Sequence, residues 1–127
     1  MKTSIREALA SVRYLPDRTP EMSFEGGAEG AFAELSRYRD GAIFVGHYSG
    51  SSEWERHSNG DEIVMALGGS TTVVLLIDGE EERVDLEKDD LVVVPSGVWH
   101  RFEGSTNLEV MTVTPQPTDH SLETPGS

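Results

Sequence analysis

Two separated stretches of this sequence carry side chains that could hold a metal ion. Glu55, His57 and Glu62 lie close together in the first stretch, and His100 follows in the second. Imidazole nitrogens and carboxylate oxygens are ligands that suit zinc, manganese, iron and related divalent metals. These four residues are therefore a candidate ligand set for one metal ion, if the fold brings the two stretches together.

The local geometry of β-strands favours such a meeting. Residues i and i+2 of a strand share one face, so Glu55 and His57 are expected to point the same way. The turn-forming segment Ser58–Asp61 then reverses the chain, and Glu62 begins the returning strand across from His57. His100 opens a later strand directly after a Pro-x-Gly turn. In a closed barrel, all four side chains would point into one cavity.

The pattern that would supply this barrel is a series of short β-type segments separated by turn residues. Asp-Gly and Asn-Gly pairs between the segments are hairpin signals, because these residues accept positive φ at low cost. Short, regularly spaced strands of this kind predict an all-β antiparallel sandwich or barrel. The predicted strands are Ala31–Arg37, Ala42–Tyr48, Glu53–His57, Glu62–Leu67, Thr71–Ile77, Glu82–Leu86, Leu91–Val94, Trp99–Phe102 and Leu108–Val113.

The ends of the chain differ from this pattern. Residues 3–13 fit a short helix capped by Ser4 or Thr3, and prolines at 16 and 20 prevent its continuation. The C-terminal stretch has no periodicity and is expected to be loose. The predicted organisation is an N-terminal helix and arm at 1–23, one barrel domain at 24–114 and a loose tail at 115–127.

Two of the predicted strands are apolar on both faces. Segments 62–67 and 71–77 lack the polar alternation of a strand with one face in water. The N-terminal helix or a second copy of the chain is expected to cover their outer face. The sequence therefore predicts a homodimer.

Composition narrows the classes of partner. The formal net charge of −13 repels phosphate backbones and anionic membranes, so neither nucleic acid nor a membrane is an expected partner. No apolar run is long enough to span a bilayer. The absence of cysteine excludes disulfides and thiolate chemistry and fits a cytoplasmic location.

The first stretch resembles the first motif of the cupin superfamily. That motif has two histidines one residue apart, then a glutamate, then a closing glycine. In this chain Glu55 stands at the first histidine position, His57 at the second, Glu62 at the glutamate and Gly69 at the glycine.

The second stretch resembles the second cupin motif, a Pro-x-Gly-x-x-His core matched by Pro95, Gly97 and His100. Asp89 stands where the family usually has glycine, and Gly104 where it usually has asparagine. The resemblance implies a double-stranded β-helix, or jelly-roll barrel, with a pocket at its centre. It also implies that the pocket often holds a metal and that the protein often forms dimers.

Glu55 is the main departure, and it leaves three readings open. All four residues could bind the metal, or His57, Glu62 and His100 could form a two-histidine-one-carboxylate face. Alternatively, the metal has been lost and Glu55 recognises the ligand. A bound metal is expected to be manganese, iron, zinc or nickel rather than soft copper(I).

These features lead to two functional hypotheses for a small molecule held in the barrel. The first is an enzyme of the dioxygenase, isomerase or decarboxylase type, in which Glu55 or Glu62 acts as general base beside the metal. The second is a non-catalytic binding or sensor module, with or without metal. The residues expected to line the pocket are Tyr48, Val64, Phe102 and His47.

Overall fold

Strands dominate the structure, a computed structural model that describes residues 1–126. The all-β class with a short N-terminal helix is confirmed. The elements, in chain order, are α1 (Ile5–Ser11), β1 (Leu15–Arg18), α2 (Met22–Glu25), β2 (Phe32–Tyr38), β3 (Gly41–Gly50), β4 (Trp54–His57), β5 (Glu62–Ile77), β6 (Glu80–Glu87), β7 (Leu91–Val94), β8 (His100–Pro115) and β9 (Thr118–Ser121).

The N-terminal helix begins where the sequence predicts. The Ser4 side chain accepts a hydrogen bond from the backbone N–H of Glu7 at 3.2 Å, which satisfies a free amide of the first turn. Leu9 is buried beneath the helix, and Val12 already has an extended backbone. The helix is therefore shorter at both ends than the predicted segment 3–13.

The long strands β5 and β8 organise the sheet. One half of β8 pairs with β3 and with the start of β5, and its other half pairs with the end of β5. The N-terminal half of β5 also pairs with β7, and its C-terminal half pairs with β6. Hydrogen bonding therefore continues along β1, β3, β8, β4 and β9 and also branches to β2, β5, β6 and β7.

The predicted break between strands 62–67 and 71–77 is wrong, because both segments belong to one bent strand, β5. The register of β5 against β8 shifts between Ala66 and Thr72, as it does at β-bulges. Gly69 has φ +69°, and a Cβ on it would lie 2.1 Å from the Asn107 carbonyl oxygen. Glycine therefore bends the strand here, while neighbouring backbone continues the ladder. The predicted strands 99–102 and 108–113 likewise merge into β8.

The C-terminal stretch is not loose throughout, contrary to expectation. Thr118–Ser121 forms β9, which pairs antiparallel with β4 and places Thr118 opposite His57 and His120 opposite Glu55. A four-residue strand at a sheet edge is stabilised by backbone pairing. It does not need alternating apolar side chains, so the sequence shows no apolar periodicity there. The boundaries 1–23, 24–114 and 115–127 stay a prediction.

The interior is a single apolar cluster between the strands. Its largest fully buried side chains include Tyr48 and Leu108. One apolar strand face that the sequence analysis expects to be covered is exposed to solvent. Ile63, Leu91 and Val93, on the neighbouring strands β5 and β7, are 37%, 53% and 48% exposed. Neither helix in the described part of the chain has the length or apolar character needed to cross a bilayer.

Candidate metal centre

Three of the four predicted metal-binding side chains meet at one end of the sheet. His57 ends β4, Glu62 begins β5 after the turn, and His100 begins β8. All three residues are buried. One nitrogen of each histidine and one oxygen of Glu62 lie within 4.8 Å of one another.

Backbone contacts hold the two motif loops together. The Gly97 N–H donates to the His57 carbonyl oxygen at 2.9 Å, which ties the Pro-x-Gly turn to the end of β4. The Ser96 N–H donates to the Asp61 carboxylate at 2.8 Å, which ties the same turn to the β4–β5 hairpin. The turn residues named by the sequence motifs therefore fix the relative position of the two histidines.

Glu62 lies between the two imidazoles. Its Oε1 atom is 3.0 Å from Nε2 of His100, and its Oε2 atom is 3.4 Å from Nε2 of His57. Oε2 also accepts a hydrogen bond from the Thr114 hydroxyl at 2.7 Å. The carboxylate is thus oriented from β8 while it faces both rings.

The other ring nitrogens are held by groups outside the cluster. Nδ1 of His100 is 3.0 Å from the Val98 carbonyl oxygen, which only accepts hydrogen bonds, so Nδ1 carries a proton. Nδ1 of His57 is 2.9 Å from the Thr118 hydroxyl on β9. These outer contacts fix the ring orientations and direct both Nε2 atoms toward Glu62.

The buried atoms that face one another are left without partners. Nε2 of His57, Oε1 of Glu62 and Nε2 of His100 have no hydrogen-bond partner within residues 1–126. Because Nδ1 of His100 is protonated, a neutral His100 ring presents a lone pair at Nε2 to a carboxylate oxygen. Two such lone pairs repel unless a proton or a metal cation lies between them. Two imidazole nitrogens and one carboxylate therefore fit a divalent first-row metal with open coordination positions.

The pKa values of the metal-free cluster follow from the same contacts. Burial alone would raise the pKa of Glu62, but its contacts with His100 and His57 outweigh burial and lower the pKa to about 2. Burial would lower the pKa of His100, but the Glu62 carboxylate outweighs it and raises the pKa. The Glu62 carboxylate thus favours the protonated form of His100 when no metal is bound.

Glu55 belongs to a second cluster, with Glu53 and His120, rather than to the three-residue group. Nδ1 of His120 is 2.6 Å from Oε2 of Glu53 and 4.0 Å from Oε2 of Glu55. Arg18 approaches the other side of Glu53, where the guanidinium is 3.6 Å from Oε1. Burial, followed by the charge of Glu53, raises the pKa of Glu55.

Both clusters open onto one cavity of about 380 Å³. Its polar walls include Arg18, Glu53, Glu55, His57 and Glu62. Its apolar walls come from Phe32, Phe44, Val45, Tyr48, Phe102 and Val110. The cavity is large enough for a small organic molecule and combines a few polar groups with an apolar wall, as small-molecule sites usually do.

The structure brings two of the four predicted pocket residues to this cavity. Tyr48 and Phe102 line it, and their rings make an edge contact with centroids 6.3 Å apart. Val64 is buried in the core instead. His47 lies on the opposite face of β3 from Tyr48, and its Nε2 atom is 2.7 Å from Oδ1 of Asn107. His47 is therefore not brought to the cavity.

Several residues of the site were not predicted from the sequence. Arg18 and Thr118 reach it from β1 and β9, two four-residue strands without a readable pattern. His120 lies in the C-terminal stretch that was expected to be loose, yet it contacts Glu53 through β9. Glu53 had a usable signal, because strand parity places it on the same face as Glu55 and His57.

Known protein structures share this arrangement of strands. The chain is similar to a cupin-2 domain containing protein from Shewanella frigidimarina at 19% identity, covering 67% of this chain and 79% of that chain with a TM-score of 0.57. It is similar to hydroquinone 1,2-dioxygenase from Sphingomonas sp. TTNP3 with 4-hydroxybenzoate bound at 18% identity, covering 76% and 70% with a TM-score of 0.58. A hydroquinone 1,2-dioxygenase in complex with Cd²⁺ and 4-hydroxybenzonitrile matches at 18% identity, covering 66% and 63% with a TM-score of 0.58.

These structural likenesses support the jelly-roll barrel, and their low identity carries no activity across. No curated protein matches the sequence significantly. The sequence profile of the Cupin domain family matches residues 44–114, more than half of the chain, and includes both motif stretches. The chain therefore belongs to the cupin family.

Proposed function

We propose that this protein binds one divalent metal through His57, Glu62 and His100 and holds a small organic molecule in the adjoining cavity. The observation that carries the proposal is the set of three buried, mutually facing atoms without hydrogen-bond partners within residues 1–126. A buried polar atom without a partner is costly, and a shared cation would satisfy all three at once.

The ligand chemistry indicates which metals suit the site. Two imidazoles and one carboxylate favour manganese, iron, zinc or nickel over soft copper(I), and they leave positions for water or an organic ligand. When bound, such a metal supplies a Lewis acid or an oxygen-activating centre. Of the open readings of Glu55, the three-residue ligand set is the one that we adopt.

Glu55 is the residue that we assign to proton transfer with the bound molecule. It lines the cavity and its side chain is 20% exposed, so a ligand can reach it. Burial and the charge of Glu53 raise its pKa above that of an ordinary glutamate, which makes it a better proton acceptor. Glu62 is less suited to this role, because its contacts with two histidines and Thr114 favour the ionised form.

Metal content tests the proposal directly. We expect the purified protein, after incubation with manganese, iron, zinc or nickel, to retain one metal ion per chain by elemental analysis. His57→Ala should lose the bound metal. His47→Ala should retain it, because His47 lies on the face of β3 opposite to Tyr48 and contacts Asn107 instead of the cavity. No metal in the parent protein, or equal metal in both variants, would contradict the proposed centre.

Two classes of function remain for a metal-loaded protein. Because some structural neighbours are dioxygenases with aromatic ligands, oxygen chemistry is the first candidate to test. Oxygen uptake with hydroquinones, catechols, diketones and keto acids distinguishes an oxygenase from a binder. Ligand binding without oxygen uptake or product formation would favour the non-catalytic alternative.

We further propose that two copies pair through the exposed apolar face of β5 and β7. Ile63 is opposite Val93 and Met65 is opposite Leu91, so the apolar side chains form adjacent rows. An exposed apolar sheet face of this kind can pack against its own copy about a two-fold axis. Light scattering should report a dimer that Leu91→Glu dissociates. A monomeric parent protein at micromolar concentration contradicts this pairing.

A further inference from the structure

The cavity contains an arginine that the metal cluster does not use. Arg18 ends the short strand β1, and its side chain is only 10% exposed. The guanidinium lies over two aromatic rings, 4.6 Å from the centroid of Tyr48 and 5.0 Å from that of Phe32. A guanidinium retains its charge at such a depth, so this is a fixed positive charge in the cavity wall.

The chain holds Arg18 firmly in this position. Gly50 of β3 pairs with it, and the Ser51 N–H donates to its carbonyl oxygen at 2.9 Å. A Cβ on Gly50 would lie 2.2 Å from that carbonyl oxygen, and Gly50 has φ +107°. The close approach of β1 to β3, which carries Arg18 into the cavity, therefore requires glycine at 50.

The hydrogen-bonding capacity of Arg18 is poorly used. Its contact with Oε1 of Glu53 is 3.6 Å long, beyond a hydrogen bond. Oε1 of Glu53 and the Tyr48 hydroxyl, which flank the guanidinium, both lack hydrogen-bond partners within residues 1–126. The second oxygen of Glu53 is engaged by His120 at 2.6 Å. Arg18 has five N–H donors, and within residues 1–126 the ion pair that it makes is this long contact with Glu53.

A carboxylate is the ligand group that best completes this arrangement. Its two oxygens match the fork of a guanidinium, and burial strengthens a charge-assisted hydrogen bond. Phe32, Phe102 and Val110 supply an apolar wall for the remainder of the molecule. The part of the cavity around Arg18 thus offers a positive charge beside an apolar wall, which matches a small organic acid.

We propose that Arg18 binds the carboxylate of a small organic acid in the cavity, the class of ligand that this protein takes. This inference rests on the proposed function, since it assumes that a small molecule enters the cavity. It adds the charge of that molecule and the residue that recognises it. Glu53 competes with the ligand carboxylate for Arg18, so it lowers the affinity for organic acids.

Benzoate and benzamide are suitable probes, because they share size and planarity but differ in charge. We expect an NMR titration of the metal-free protein, residues 1–127, to detect benzoate binding at least about tenfold tighter than benzamide binding. Metal-free protein is used first because a carboxylate also binds a metal directly. The same titration with metal-loaded protein then measures the two contributions together.

Variants separate recognition from support of the fold. Arg18→Gln should weaken benzoate binding about tenfold or more and leave benzamide unchanged. Arg56→Gln is the matched control, since Arg56 also pairs with one carboxylate and stacks on a ring, but it faces away from the cavity. Glu53→Gln retains Arg18 and removes its competitor, so benzoate binding should tighten by about threefold or more.

Several results would overturn the inference. They are equal binding of benzoate and benzamide, equal benzoate affinity in the parent and Arg18→Gln, or no tightening in Glu53→Gln. The last variant covers the case in which Arg18→Gln does not fold. Metal uptake, measured after incubation of the same variants with a divalent metal, distinguishes the two proposals. Arg18-dependent benzoate binding by a protein that takes up no metal on incubation would contradict only the metal centre. Metal uptake without benzoate recognition would contradict only the role of Arg18.

Discussion

Replacement of Thr118 by valine is the sharpest test of how the candidate metal centre is built. The Thr118 hydroxyl lies 2.9 Å from Nδ1 of His57 and 3.4 Å from Oε1 of Gln116. Valine keeps the shape of threonine and removes the hydroxyl group. The Nδ1 atom of His57, a residue that is 3% exposed, would then lose its partner on β9.

The structure sets the size of two expected effects. A buried polar atom left without a hydrogen bond costs about 1–3 kcal/mol, so metal-free Thr118→Val should unfold with a free energy lower by about that amount. The hydroxyl also orients a histidine that we assign to the metal, and loss of such an outer contact lowers metal affinity by about 10–100-fold. A tenfold loss corresponds to about 1.4 kcal/mol of binding free energy.

Urea unfolding of the metal-free protein and calorimetric titration with a divalent metal measure these effects separately. Thr72→Val is the control, because Thr72 donates to Asp85 at 2.8 Å at an exposed site away from the metal centre. It should leave metal affinity unchanged. If Thr118→Val binds metal within about twofold of the parent protein, Thr118 does not position His57 and the reasoning fails.

Two further predictions concern the metal-free protein. The pKa of Glu62 is lowered from 4.5 to about 2, so its ionised form stabilises the fold above pH 4.5, and this contribution, about 3 kcal/mol, is lost as the pH falls toward 2. Glu62→Gln should therefore flatten this part of the dependence of unfolding free energy on pH, and an unchanged slope in urea titrations at several pH values would contradict the lowered pKa. Gly69→Ala should cost at least about 2 kcal/mol more than Gly79→Ala in the same assay, because both glycines have positive φ but only the first would place its Cβ against the Asn107 carbonyl. Equal losses would mean that the close approach of β5 to β8 is not tight.

The parts of the site that were predictable are those fixed by short-range geometry. A turn and strand parity place His57 and Glu62 near each other, and the Pro-x-Gly turn places His100 at a strand start. The Ser4 cap was predictable for the same reason, since a cap acts on an amide three residues away. The predicted break between strands 62–67 and 71–77 was wrong, because a glycine bend inside a strand and a turn between strands have the same local signal.

The sequence by itself determined the strand-rich class, the family and the residue types at the metal centre, because periodicity, turns and motif spacing are local properties of a chain. Only the tertiary structure decided which side chains share the site. It turned Glu55 toward Glu53 and His120, and it brought Arg18 and Thr118 into the same cavity from opposite ends of the chain. Those contacts depend on the pairing of β1 with β3 and of β9 with β4. Such pairing joins residues far apart in sequence through backbone hydrogen bonds, which carry no side-chain signature that a sequence could display.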